Sequence, residues 1–462
     1  MSERPAQSCG RSRVERVLRA RLTRWAAWAV VLTLLGSFLP RMYLRSRLPT
    51  GNDVMVYLAA ARALMHGGNP YSKGDVPQGH GPYPLTVDTL FIPLTWVPLW
   101  LAEAIWFGLN VLALVGALLI LERLWRRTGA TSAALAVPFV VRLAAIMLVM
   151  LVPLQSHFSF GQLDLLVLFV CCLFLAGEIG GRDGEASLWL GAGIALKLTP
   201  SVFVVDLAAR RRIRLLALAV AWAIAWAVLA PALVSDRVVP LYRDGWLVGL
   251  RHHLDSPVTV RWRTRFALAG VLVRIWPSIA AVPGLHYWVA AVVLAPLVGL
   301  QGAAARDPRK RLMLFGLYLA AIPLVSPISE MHHLTMLLGP LWLWLLAAGS
   351  APSLHVLDAV GASVFVAFHW LGIAWNQTLA LTAVFHAPSS GGPRTGSLFE
   401  GGAVLVLYLV LLLRAYITRR WGDSASATNG SGLRGPSRLS ESPEASAPAL
   451  AGSVSSATAP DA

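Results

Sequence analysis

The sequence predicts an all-α integral membrane protein, a polytopic bundle of about ten transmembrane helices with a re-entrant broken hairpin and an amphipathic outer-surface helix, and three observations carry the membrane bundle. The 462-residue chain is 56% hydrophobic and only 13% charged, with mean hydropathy +0.63. A soluble domain carries about 25% charged residues, and a chain this apolar lacks the polar groups to cover its own surface. Uncharged runs near the ~20 residues that cross a bilayer recur along it. The third observation is where the arginines fall: they flank the apolar runs, the placement that sets topology.

Taken in order, the runs alternate across the membrane. Six arginines from Arg11 to Arg24 make residues 1–24 a basic cytoplasmic N-terminus. Residues 25–44 exit as an uncleaved first helix, since no small-residue cleavage site follows. Residues 45–85 form an outer loop rich in Gly, Pro, Asn and Tyr. Within it, residues 54–65 have apolar groups at helical spacing, an amphipathic helix on the outer surface with Asp53 at its N-cap. Residues 87–99 are apolar but short and interrupted by proline, so they insert only in part. Residues 101–121 return to Arg123, Arg126 and Arg127. Residues 133–154 exit, with Arg142 either marking the true start or lying buried, and 155–162 make a short outer turn. Residues 163–179 come back inside.

The stretch 188–209 is too broken to cross. Lys197-Leu198-Thr199-Pro200 divides two apolar pieces of about nine residues each, and Arg210, Arg211, Arg212 and Arg214 follow at once. A re-entrant hairpin keeps both ends on the cytoplasmic side; broken backbone at membrane depth needs protein or a polar cavity around it. Thereafter 215–234 exits, 235–284 lies outside, and 286–304 returns to the cluster 306–311. Residues 312–325 exit, 326–333 turn, 334–348 return, 356–375 exit and 403–415 return to Arg414, Arg419 and Arg420. The transmembrane domain is therefore 25–420. Residues 421–462, rich in Ser, Ala, Pro and Gly, make a disordered cytoplasmic tail. The Asn429-Gly430-Ser431 acceptor falls in that tail and is discarded.

The net charge of +16 does not signal nucleic-acid binding, because most arginines flank apolar spans. Cys9, Cys171 and Cys172 fit neither a disulfide framework nor a metal site. The topology instead collects polar groups on the outer side, where nine of the eleven histidines fall in or beside loops. Polar residues gather in loops anyway, but ionisable groups at helix ends facing a bundle are functional candidates. Asp53 is a candidate general base at the membrane surface, and capping of the 54–65 helix is its plain alternative. The histidine pairs His252-His253 and His332-His333 lack the i, i+4 spacing of a helical zinc site, so no metal is expected. With Arg251, Arg261, Arg263 and Arg265, they suit phosphoryl oxygens, the alternative for the arginines being lipid headgroups. Lys197 either lines a groove or snorkels to the cytoplasmic face, the latter being preferred. No Gly-rich phosphate loop, G-x-S-x-G elbow or CxxC motif occurs.

Four stretches resemble glycosyltransferase family 87, whose members are GT-C-type membrane enzymes. They are Gly51-Asn52-Asp53 through Tyr83-Pro84-Leu85, Gly161-Gln162-Leu163-Asp164, Gly191 through Lys197-Leu198-Thr199-Pro200, and Ser326-Pro327 through Glu330-Met331-His332-His333. The resemblance covers about residues 25–420. It implies a polyprenyl-phosphate-mannose-dependent α-mannosyltransferase acting outside the cytoplasmic membrane on a glycolipid or glycan acceptor. Asp53 would be the base, and inversion would displace the lipid phosphate. His332 or His333 would lie near the phosphate or acceptor, and Glu330 stands where the family often carries an aromatic residue. Gln162, Asp164, Lys197, Arg251, His252, His253, Glu330, His332 and His333 are the candidate substrate- or phosphate-binding residues. No cofactor is expected, because a lipid-linked monophosphate sugar needs no nucleotide pocket. The competing reading is a transporter or flippase of a lipid-linked substrate, since broken helices also mark transporters; the one-sided ionisable groups and lack of visible inverted repeats oppose it.

Overall fold

The computed structural model describes residues 6–48, 51–77, 81, 83–129, 132–255, 267–304, 307–327, 329–348, 354–385 and 396–428. Met1–Thr418 form one compact unit; of the second, Arg419–Ala462, only the helix reaching Thr428 is described. Among the described residues there are helices and turns but no strand. The expected disordered tail falls mainly on residues 429–462, outside the described residues.

The chain begins with α1, Ala6–Ser46, whose apolar part is Val17–Ser46. Helix α2, Asp53–Met65, forms where the 54–65 helix is expected; it packs Val54, Tyr57, Leu58, Ala61 and Leu64 inward, and Arg62 is its one exposed residue. Helix α3, Leu85–Phe91, runs into a 3-10 turn over Ile92–Trp96, matching the short, broken element expected there. Helix α4, Leu99–Arg127, is long enough to span. Next, α5 (Phe139–Val149) and α6 (Leu151–Phe160) meet at 81°. The sequence suggests one straight run to 154 and then a turn. Pro153 has no N–H to offer Val149, and the helix breaks at Met150 instead. Arg142 of α5 is the buried cation, not a helix start: it pairs with Glu122 at 2.7 Å and lies 5.0 Å over the Trp342 ring.

Helices α7 (Asp164–Ile179) and α8 (Asp183–Leu196) lead to the break at Lys197-Leu198, a 3-10 turn at Thr199–Ser201, and α9 (Val202–Ala209). The two ends of this hairpin lie together. Arg212, just past α9, bonds Asp183, the first residue of α8, at 2.6 Å. The segment thus returns to the level from which it left, as a re-entrant element must. Helix α10, Ile213–Ala232, is long and apolar enough to span. It packs hard on α8 at Gly191, where an added Cβ would sit 2.5 Å from Trp222 Cβ and 2.8 Å from Ala219 O. Close helix approach through small residues is how apolar helices associate in lipid.

A π turn at Leu241–Trp246 precedes α11, Leu247–Asp255. After a short helix at Leu268–Ile275 come α12 (Leu285–Gly299), α13 (Pro308–Val325), α14 (Leu338–Ala347), α15 (His355–Phe385) and α16 (Gly396–Thr428). A 3-10 turn at Met331–Leu337 feeds α14, so the expected run 334–348 starts as a tighter turn. Among the described residues four helices are long and apolar enough to cross a membrane, five if the bent α5–α6 pair counts as one span. The figure of about ten is therefore not reached by length. Several apolar runs are short helices such as α14, whose residues are almost all buried by protein. Hydropathy alone reads protein-buried and lipid-facing surface alike.

Beside the hairpin ends lies a buried ionic network. Arg311 bonds both oxygens of Asp206 (2.9 and 2.7 Å) and Glu178 (2.6 Å). Arg210 joins the same two carboxylates, and Gln301 bridges Asp206 (2.7 Å) to Tyr318 (2.9 Å). The sequence places Arg210 and Arg311 in solvent-side clusters; the structure uses them to lock α7, α9 and α13 together.

Candidate active site

One cavity of about 610 Å³ gathers most of the candidates. Asp53, Gln162, Lys197, Glu330, His332 and His333 all line it, with Tyr83 and Phe160. They come from four separate stretches of chain, and the fold around α2, α6, α8 and the 331–337 turn brings them together.

Asp53 is the first residue of α2 but not its cap. Asn52 is the cap, accepting the Met55 N–H at 3.1 Å, and is itself held by donating to Glu103 (2.6 Å) and to the Met42 carbonyl (3.2 Å). The capping alternative for Asp53 is therefore corrected. Its carboxylate is instead held by Gln162, whose side-chain amide donates to Oδ2. Tyr83 fixes that amide by donating its hydroxyl to Gln162 Oε1 at 3.1 Å. Gln162 follows Gly161, which adopts φ +68; a Cβ there would meet Val54 Cγ2 at 2.4 Å, so the turn needs glycine. The indole of Trp106 pins the turn by donating to the Gly161 carbonyl at 2.9 Å.

Burial raises the Asp53 pKa to about 6; the Gln162 bond pulls it down, Glu330 pushes it up, and Lys197 and Arg45 lower it. A carboxylate poised near neutrality suits a general base.

Lys197 ends α8 in extended backbone, φ −155 and ψ 134, and so leaves the helix axis. Its ammonium bonds Asp164 Oδ1 at 2.7 Å inside the protein, beside the Tyr83 ring at 5.9 Å. The preferred snorkelling role is thus corrected: Lys197 faces the cavity, and Asp164 sits behind it. His333 Nδ1 accepts the Glu330 N–H at 2.7 Å, which makes the neutral ring an Nε2–H donor. Further in, His157 meets Asn110 at 3.0 Å.

Asp164, His332 and His333 present one ligand atom each within 4.8 Å of one another. Two features make this a poor cation site. Lys197 already occupies one Asp164 oxygen, and His333 Nδ1 is spent on a backbone N–H. An ammonium and imidazole N–H donors suit an anionic oxygen better.

Arg251 on α11 is exposed and not among the cavity residues, although its neighbour Leu250 is. The side chains of His252 and His253, and residues 261, 263 and 265, lie outside the description. Sequence reasoning missed Tyr83 and Phe160 as site residues. Tyr83 stood within the Tyr83-Pro84-Leu85 stretch, but nothing local signals a bond to a side chain far along the chain.

The family model described as Glycosyltransferase family 87 matches residues 82–327, over half of the chain. The chain belongs to glycosyltransferase family 87. The matched stretch holds Tyr83, Gln162, Asp164 and Lys197, while Asp53 and the Glu330–His333 turn flank it. Curated relatives agree. A polyprenol-phosphate-mannose-dependent alpha-(1-2)-phosphatidylinositol mannoside mannosyltransferase of Mycolicibacterium smegmatis is 31% identical over 352 residues, 69% of this chain and 74% of its own. A polyprenol-phosphate-mannose-dependent alpha-(1-2)-phosphatidylinositol pentamannoside mannosyltransferase of Mycobacterium tuberculosis is 28% identical over 388 residues, 79% of this chain and 82% of its own. A further phosphatidylinositol mannoside mannosyltransferase of that species is 30% identical over 354 residues, 71% of this chain and 77% of its own. No solved structure matches.

Proposed function

We propose that this family 87 protein transfers mannose from polyprenyl-phosphate-mannose to a hydroxyl of a glycolipid acceptor on the outer face of the cell membrane. The single observation that carries the reading is Asp53: a carboxylate relieved of capping, held on one oxygen by Gln162, with a pKa of about 6, in a cavity it shares with Lys197. The donor and acceptor classes rest on the relatives' names.

Asp53 takes the proton of the acceptor hydroxyl as that oxygen attacks the anomeric carbon. The bond from that carbon to the phosphate oxygen breaks, and polyprenyl phosphate leaves with the electron pair. Attack opposite the leaving group inverts the anomeric centre. Lys197 and the imidazole N–H donors meet the charge that builds on the phosphate, the kind of preorganised stabilisation that lowers such barriers. No metal is required. The arginine-rich hairpin ends point to a cytoplasmic face opposite the cavity, with both termini on that side.

The test is mannose transfer by purified protein in liposomes supplied with polyprenyl-phosphate-mannose and a phosphatidylinositol mannoside. Transfer supports the reading. Movement of the donor across the bilayer without transfer would make the protein a flippase.

A further inference from the structure

Arg45 differs from several other buried or half-buried arginines of the bundle. Arg142, Arg210, Arg311 and Arg414 each meet a carboxylate. Arg45, half-buried at the end of α1, has no such partner among the described residues, and its Nε is buried without a hydrogen-bond partner. Its guanidinium lies 4.0 Å over the ring of Phe160. Phe160 lines the reaction cavity, and its ring is 6.2 Å from that of His332. Stacking covers one face of the guanidinium and leaves its N–H edge free for a planar or tetrahedral oxyanion. The Asp53 carboxylate lies near enough to feel its charge, but the buried Nε has no hydrogen-bond acceptor, and a buried donor is costly until an oxyanion meets it. Lys197, the cation that lines the cavity, already faces the Asp164 carboxylate. Arg45, behind the Phe160 wall of that cavity, is thus a cation beside the site with no ion-pair partner among the described residues.

We infer that Arg45, seated on Phe160, is a second phosphate-binding cation of this site, taking a phosphate oxygen of a lipid substrate. The inference rests on the transferase reading above. Two substrates carry this chemistry: the donor's phosphate, and the phosphodiester of a phosphatidylinositol-type acceptor. A bilayer headgroup at the cavity rim is the rival occupant, and it predicts no effect on either substrate.

The experiment compares wild type, Arg45→Gln, Arg45→Lys and Phe160→Leu, with thermal melting to confirm folding. Transfer is measured at a pH well above the titration of Asp53. KM is taken for polyprenyl-phosphate-mannose, for a phosphatidylinositol mannoside, and for a short alkyl mannoside that has no phosphate. Arg45→Gln should raise one phosphate-bearing KM by about tenfold or more, exceeding any fall in kcat. Arg45→Lys should recover part of the loss, and Phe160→Leu should show a smaller rise in the same KM. A rise for the donor with either acceptor assigns the donor phosphate. A rise for the phosphatidylinositol mannoside alone, with the alkyl mannoside unaffected, assigns the acceptor phosphodiester. Unchanged KM for both phosphate-bearing substrates overturns the inference. If wild type transfers nothing, the transferase reading falls separately, and polyprenyl phosphate serves as one probe. With the phosphatidylinositol mannoside as a second probe, at least one of the two should then raise the melting temperature of wild type and not of Arg45→Gln; no such difference for either probe overturns the inference.

Discussion

Replacing Gln162 by leucine should move the pH–rate profile while leaving the fold in place. Gln162 donates its amide to Asp53 Oδ2 and is fixed by Tyr83 at 3.1 Å. That donation favours the charged carboxylate and so holds its pKa down, against the burial that raises it to about 6. A hydrogen bond to a charged group contributes ~1.5–3 kcal/mol, or about one to two pKa units. Without it the Asp53 pKa should rise to about 7–8. The base works only when ionised, so activity falls as pH drops through its pKa, and raising that pKa shifts the acid limb upward. Wild type should lose half its kcat/KM near pH 6, and Gln162→Leu near pH 7–8. The assay is initial-rate sugar transfer across pH 5–9, with donor saturation checked at each point. A uniform loss of rate with the acid limb still near pH 6 would show that Gln162 does not hold the base, and would refute the clamp.

Other outcomes follow from the same geometry. Lys197→Met leaves Asp164 as a buried, unpaired carboxylate and should destabilise by about 3–5 kcal/mol, whereas Lys197→Met with Asp164→Asn should recover the fold without recovering donor affinity, read by melting and donor KM. A cysteine at position 212 should react with membrane-impermeant reagent only from the side opposite Asp53, since Arg212 bonds Asp183 at the hairpin base; labelling from the Asp53 side removes the re-entrant hairpin. Transfer should survive excess chelator, because Lys197 takes one Asp164 oxygen and places an ammonium beside the cluster, and His333 Nδ1 is spent on a backbone N–H; loss in EDTA restored by a divalent ion would instead assign Asp164, His332 and His333 as metal ligands.

Much of this was legible from residue order. Apolar runs and arginine flanks place the helices, and the Lys197-Leu198-Thr199-Pro200 break gives the hairpin. Asp53, Gln162, Lys197 and the Glu330–His333 turn stood out as polar groups at helix ends, and they share one cavity. Three things were not legible, each for a physical reason. Asn52 and Asp53 are both good caps and adjacent, so sequence cannot say which turns inward; the 2.6 Å bond from Asn52 to Glu103, 51 residues away, decides it. Arg142, Arg210 and Arg311 flank apolar runs as headgroup arginines do, and only their partners in other helices reveal them as buried. Lys197 has a stem long enough to reach either way, and its extended backbone at the end of α8 sets the direction.

The base assignment is tested most directly by Asp53→Asn, purified and assayed for transfer, donor binding and melting together. Asn52 holds the cap, so the helix start should survive. Burial lifts the Asp53 pKa from 3.8 to about 6. An ionised Asp53 therefore costs stability above that range, a cost that builds as pH rises from about 4 to 6 and amounts to at most about 3 kcal/mol, less for the part facing the cavity. At neutral pH the variant should melt at or above wild type, with the difference vanishing below about pH 4. Donor binding should stay close to wild type, because Lys197 and the histidines are untouched. Transfer should fall by about a hundredfold or more, since the amide cannot take the acceptor proton. A folded, donor-binding Asp53→Asn that transfers sugar at near the wild-type rate would contradict the account.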